Sequence, residues 1–247
     1  VMPCDVLKSK KVTIGFDPRL HTERSLLKFF EKTNCKLVPI NENPINQINF
    51  TNLKKSSRKF FSVPSKYTGE SSQKKIYRVS KILKKNKINL QFISASENVA
   101  WLTNIRGHDS EYSPLPNCYI ILENTGKVNL FCDLEKIDKN FKEKLSHINF
   151  FNINLIQIFL KSIKGKKIQI DTNTCSMFFK DIIKKNNIII EKQDPIYFLK
   201  SIKNKIEIRN MIKTHILDGM ALTKFLFWLK NNFDKKNITE ITASNKL

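Results

Sequence analysis

The 247-residue chain contains no G-x-G-x-x-G run, no H-E-x-x-H or H-x-H spacing and no C-x-x-C pair. The first absence excludes a Rossmann dinucleotide site, whose phosphate turn needs those glycines. The others remove the short zinc signatures. The five cysteines, Cys4, Cys35, Cys118, Cys132 and Cys175, are odd in number and far apart. That pattern points to reduced thiols in a cytoplasmic protein rather than a disulfide framework. No window reaches the roughly 18 apolar residues of a spanning helix, and the opening residues do not read as a signal peptide, so no membrane partner is expected. Only 22 acids and four histidines are present, a thin supply for a site that gathers several metal ligands.

What is abundant is lysine and asparagine, with 18 phenylalanines to fill a core. The formal charge of +22 has two readings, a polyanion partner or a Lys/Asn-biased composition. The lysines fall as pairs on the flanks of expected helices and strands, not in one aromatic-studded groove. Arginine, which specific base readers favour, is scarce. No specific nucleic acid is therefore expected.

Along the chain, residues 12–16 alternate into a strand, Thr22 can cap a helix over 23–32, and 36–40 form the next strand. His21, beside that helix start, reads as a surface or capping residue. Residues 41–64 are polar and aperiodic, a linker that wraps a surface. Ile76, Val79 and Leu83 place a helix over 71–86. Strands are expected at 90–94, 118–122, 128–131, 148–151, 168–171 and 188–191, with a hairpin turn at Asn124-Thr125-Gly126. Helices are expected at 134–145, 155–163 and 175–186, with Asp133 and Asn173 as caps. One hairpin followed by alternating helices and strands implies an α/β fold, a mixed sheet with helices on both faces. The run 161–167, with one glycine, lacks Walker spacing and reads as a basic turn. A long helix over 203–230 has a broad apolar side that wants burial, with Asp218-Gly219 as a kink point and His215 as an inter-helix contact. Thr239-Glu240 opens another helix.

The stretch AWLTNIRGHDSEYSPLPNCYIILE, residues 100–123, organises the chain. Ser96 and Glu97 read as a helix start; Trp101 and Leu102 lie in that short helix; Arg106-Gly107-His108-Asp109 leaves it as a turn that Pro114 and Pro116 stiffen. One Arg, one His and one acid are thus held between two buried elements, where a surface with a role is expected. Trp101 reads as a core anchor on its short helix. Arg106 reads as a structural ion pair. His108 reads as exposed. Asp17, Asp109, Asp133 and Asp171 read as turn and cap residues.

This stretch resembles the aminopeptidase P family, in which creatinase-type domains precede a metal-binding peptidase domain. So do VTIGFDPRLHT (12–22), SKYTGESSQKK (65–75), KNKIEIRNMIKTHILDGMALTKFLFWL (203–229) and ITEITASNKL (238–247), in the same order. The resemblance implies a creatinase/prolidase N-terminal-like (ribonuclease H-like) fold. It divides the chain into the end of a first such domain (1–50), a linker and leading helix (51–88), a second domain (89–195) and the first helices of an incomplete pita-bread (M24) domain (196–247). Family members are cytoplasmic metallopeptidases that release the residue before a proline, as homodimers. They use two divalent ions, manganese by resemblance, held by two Asp, one His and two Glu of the third domain. No residue here matches such a ligand, so no catalytic residue, metal or cofactor is assigned to this chain. The chain opens at Val1 and closes near a helix start, and a fragment is expected. Trp101, Arg106 and His108 are by resemblance the candidates for a substrate-cleft wall or subunit contact. The expected function is the substrate-positioning and oligomerisation portion of an X-Pro aminopeptidase, inactive alone. The alternative is a catalytically dead creatinase-like module that binds a protein or peptide.

Overall fold

The computed structural model describes residues 6–7, 11–48, 57–234 and 237–247. They fall into two units, one from 1–64 and 70–201, the other from 65–69 and 202–247. In the first, β1 (Thr13–Phe16) and β2 (Lys36–Pro39) pair in parallel, with α1 (Glu23–Phe30) between them. Thr22 starts α1 as its sequence position suggests: its Oγ1 accepts from the Ser25 N–H, and Ser25 Oγ accepts from the Thr22 N–H, each at 3.1 Å. α2 (Ile45–Ile48) follows. The linker expected at 41–64 lies in part, 49–56, outside the described residues. The rest is more ordered than its polarity suggests, because it ends in a short strand, β3 (Phe61–Ser62).

After α3 (Ser65–Thr68), which belongs to the second unit, α4 (Ser72–Lys85) begins where Ser71 Oγ accepts from the Lys74 N–H at 3.3 Å. Then come β4 (Leu90–Ile93), α5 (Ser96–Thr103) and β5 (Ile105–Arg106), which pairs antiparallel with β3. β6 (Tyr119–Glu123) and β7 (Val128–Cys132) form the expected hairpin. Gly126, at φ +93°, supplies the left-handed backbone that turn requires. α6 (Lys139–Lys144), β8 (Ile148–Asn152), α7 (Ile156–Ser162), β9 (Lys167–Ile170), α8 (Met177–Lys184), β10 (Ile188–Glu191) and α9 (Pro195–Ser201) complete the unit.

The six-stranded sheet has the order β10-β9-β4-β6-β7-β8, and β6 alone runs against the rest. Strand alternation sorts the side chains between two cores. Ile93, Ile120, Leu122, Val128, Leu130 and Ile148 face α4 and α5 residues such as Val79, Leu83, Val99 and Leu102. Leu90, Phe92, Ile121, Phe131, Ile168 and Ile170 face Ile156 and Leu160 of α7 and Ile182 and Ile183 of α8. Each fully buried Leu, Ile or Phe contributes about 1.5–3 kcal/mol. The sheet is thus mixed, with helices on both faces.

Local chemistry revises several expected ends. Ser96 is the first helical residue of α5, not its cap; Ala95 occupies the cap position without a side-chain bond. Asn173 does not cap α8. Its N–H and Nδ2 both bond Asp171 Oδ1 at 2.9 Å, an Asx turn that outcompetes capping, and Ser176 holds the cap position. The helix expected at 134–145 is a 3-10 turn (Leu134–Lys136) followed by α6, because Asp138 starts a new helix by accepting from the Phe141 N–H at 2.7 Å. Asp133 does cap the 3-10 turn.

Nine of the lysines gather at one end of the sheet. Lys84, Lys85 and Lys87 precede β4, Lys127 precedes β7, Lys144 precedes β8, Lys164 and Lys166 precede β9, and Lys184 and Lys185 precede β10; all nine are exposed. In the register these strand starts, and the end of β6, lie at one end of the sheet. The strand alternation carries no signal of this; it follows from five strands running the same way.

In the second unit, α10 (Lys205–Asn232) is one 28-residue helix that runs through Asp218-Gly219 without a break. Asn204 caps it: its Oδ1 accepts from the Ile206 and Glu207 N–H groups at 3.0 Å, and Glu207 returns a bond to the Asn204 N–H. Asn204 Nδ2 and Asn210 Nδ2 donate to the carbonyls of Thr68 and Tyr67, tying α3 to the start of α10. No residue of α10 is buried, so His215 is exposed rather than an inter-helix contact. α11 (Glu240–Lys246) starts at Thr239 as expected.

Candidate functional site

The loop after α5 is built on a buried lysine. Lys75, on the apolar side of α4, is 2% exposed. Its Nζ donates to the Trp101 carbonyl at 3.0 Å and to Asn104 Oδ1 at 2.7 Å, and it lies 4.5 Å from the Trp101 ring centroid. Burying an ammonium is tolerable only with such partners. Asn104 ends α5 in the left-handed region, φ +59°, a conformation asparagine accepts. Its Nδ2 donates to the Glu70 carbonyl at 2.9 Å, and its own carbonyl accepts from the Val63 N–H.

Trp101 is half-buried against the first core, with the Arg78 guanidinium 5.7 Å from its ring. Arg106 does not form the ion pair that was one of its two sequence readings. Its Nη1 donates to the Ala100 and Ile105 carbonyls at 2.7 and 2.9 Å, and burial lowers its pKa from the ordinary value. It thereby holds the turn from α5 into β5. His108 is exposed, its ring 5.7 Å from that of Phe61. Gly107 is needed where it stands: a Cβ there would lie 2.9 Å from the Phe60 ring and 3.0 Å from Pro116 Cα.

Asp109 pins the rest of the loop. One carboxylate oxygen accepts from the Asn117 N–H at 2.7 Å, and the other pairs with the Lys136 ammonium. Asp109, Asn117, Asp133, Glu135, Lys136 and Asn152 line an open pocket of about 480 Å³. The structure therefore places Trp101 in α5 against the core, Arg106 in β5 tied back to the Ala100 carbonyl, and His108 on the exposed turn that follows. Lys75 and Asn104, which hold it, were not singled out from sequence. Nor was Asn98, fully buried, which donates to Asp194 Oδ2 at 2.8 Å and accepts from Lys200 Nζ at 2.7 Å. Burial, against these hydrogen bonds, raises the Asp194 carboxyl above its ordinary pKa.

Among the described residues no three His, Cys, Asp or Glu side chains gather as a metal site. Asp17, Asp109, Asp133 and Asp171 each accept backbone N–H groups of turns or caps. The arrangement can present a rigid loop to another surface; the carboxylates of Asp109 and Asp133 are committed to turns and caps.

This mixed sheet with helices on both faces is a creatinase/prolidase-type fold. The chain belongs to the creatinase/prolidase N-terminal domain family, whose model matches residues 52–207. It is 30% identical over 249 residues to Xaa-Pro aminopeptidase 1 of Dictyostelium discoideum, covering 98% of this chain and 37% of that protein. It is 29% identical to Xaa-Pro aminopeptidase ApepP of Drosophila melanogaster, covering 95% and 40%. The chain thus spans about two fifths of the length of these relatives. The crystal structure of X-prolyl aminopeptidase from Caenorhabditis elegans, described as a cytosolic enzyme with a di-nuclear active site, superposes with a TM-score of 0.82 at 24% identity. It covers 96% of this chain and 40% of that one, a likeness of fold.

Proposed function

We propose that this chain is the substrate-positioning and subunit-contact portion of a cytoplasmic, homodimeric metallopeptidase that releases the amino-terminal residue from peptides with proline second. The observation that carries this reading is the match along nearly the whole chain to Xaa-Pro aminopeptidases more than twice its length. In this reading residues 1–50 end one creatinase-type domain, 51–88 are a linker and leading helix, 89–195 form a second domain and 196–247 open an M24 pita-bread domain. Two divalent ions, manganese by resemblance, act in that domain, and this chain supplies none of their ligands.

In that enzyme the turn at 106–109 forms part of the wall of the substrate cleft or of the subunit contact. His108 is the side chain offered to the peptide or partner, and Trp101 and Arg106 set its position. A His108→Ala exchange in the longer protein raises KM and leaves kcat nearly unchanged; an unchanged KM and an unchanged dimer would remove His108 from the wall. The reading as a whole is tested by incubating this chain with manganese and a peptide whose second residue is proline. No release of the first residue is expected. Steady release that a chelator abolishes would contradict it.

A further inference from the structure

Cys118 and Cys132 stand on the two strands of the β6–β7 hairpin. The register pairs Tyr119 with Phe131 and Ile120 with Leu130. One further antiparallel step sets Cys118 directly opposite Cys132. The hydrogen-bond phase of the ladder follows from its turn, where the Glu123 N–H donates to the Lys127 carbonyl at 2.9 Å. Bonded and non-bonded pairs alternate along an antiparallel ladder. The pairs 122/128, 120/130 and 118/132 are therefore non-bonded, the class in which side chains approach most closely. Pairs of that class have Cα separations of about 4.5 Å, within the range of about 4.4–6.8 Å that a disulfide spans. Both side chains are buried in the same core, the one that also takes in α4 and α5 residues.

We infer that Cys118 and Cys132 are a reversible dithiol site that a hydroperoxide converts to a cross-strand disulfide at the base of the 107–117 loop. One sulfur attacks hydrogen peroxide; the O–O bond breaks, a sulfenic acid forms and one water leaves. The second sulfur attacks the sulfenic sulfur; the S–S bond forms and a second water leaves with the remaining thiol proton. The two sulfurs lose two electrons together, and the peroxide gains them.

Both thiols are enclosed, at 1% and 0% exposure, so reaction waits on local opening. The opening is at hand: Cys118 is the residue before β6, and its neighbour Asn117 is exposed and held by the Asp109 carboxylate. Burial above all holds the Cys118 thiol well up from its ordinary value, which keeps the closed pair unreactive. Cys175 is also buried but has no cross-strand thiol opposite it, and Cys35 is half-buried in the first βαβ turn.

The test is to treat the folded chain with hydrogen peroxide, raising the dose until Cys35 is oxidised, and to map the cysteines by peptide mass spectrometry without reduction. The expected result is a Cys118–Cys132 linked peptide as the main disulfide, two hydrogens lighter than the reduced pair and restored by dithiothreitol. Amide exchange of residues 117–119 and 131–133 slows in the oxidised form. Asp109→Asn, which weakens the hold on the Asn117 N–H and on Lys136 and removes a charge that holds the Cys118 thiol up, forms the bond faster. If Cys35 is oxidised while Cys118 and Cys132 stay as thiols, or if either links elsewhere, the inference is overturned.

Discussion

A lysine with 2% exposure is the residue on which the candidate loop rests. Replacing Lys75 by Met keeps the apolar stem but leaves the Trp101 carbonyl and Asn104 Oδ1 without their donor. Leaving a buried acceptor without its donor costs about 1–3 kcal/mol. Urea unfolding of Lys75→Met should show an unfolding free energy lowered by that amount, read as a lower midpoint at an unchanged slope. Sequence pattern contained this residue in part: Lys75 lies four positions before Val79, on the stripe formed by Ile76, Val79 and Leu83. A lysine on such a stripe reads as a snorkelling surface residue until its acceptors, 26 and 29 positions away, are placed beside it. That Trp101 lies in a short helix, and Arg106 and His108 just after it, was legible because this geometry is local. Their roles were not, because the carbonyls that Arg106 bonds are backbone groups, which composition cannot show.

His147 carries the pH dependence at this scale. Its Nε2 is 2.8 Å from Ser72 Oγ, and burial lowers its pKa below 6.5. The unfolded chain then binds a proton more readily than the folded one. The stability this histidine contributes is present above pH 6.5 and is lost as pH falls through its folded pKa. His147→Gln should flatten the loss of stability between pH 7 and 5 in a series of urea melts; an equally steep loss would assign it elsewhere.

At the scale of elements, the strands and the hairpin were legible because period-two alternation matches a sheet with two cores. The ends of α5, α6 and α8 were less so, because Asp, Asn and Ser side chains close turns as readily as they cap helices. α10 is the element whose sequence states an unmet need. Ile208, Ile212, Ile216, Met220 and Leu226 are 48–59% exposed along it. Exchanging Ile212 and Leu226 together for Gln should leave the unfolding free energy from urea melts within about 0.5 kcal/mol, as for other exposed positions. It should also lower concentration-dependent association in sedimentation velocity. A large loss of stability would mean that this face is covered within the chain.

For the whole molecule, the sheet direction turns scattered lysine pairs into one basic end. With a formal charge of +22, self-repulsion opposes the folded state, and salt relieves it. Raising sodium chloride from low concentration to about 0.15 M, where the Debye length is about 8 Å, should raise the Tm. A Tm that falls would mean that attractive pairs outweigh repulsion. The same charge read from composition alone indicated bias rather than design, and nothing local to any one lysine pair distinguishes the two.

The most direct measurement is made on the protein in its native source. An antibody raised against residues 65–120 captures the protein for mass determination and for assay on a peptide with proline second. A species more than twice the mass of this 28.9 kDa chain, with chelator-sensitive release of the first residue, is the expected result. A species at 28.9 kDa with no such activity would contradict the account and favour a creatinase-like binding module.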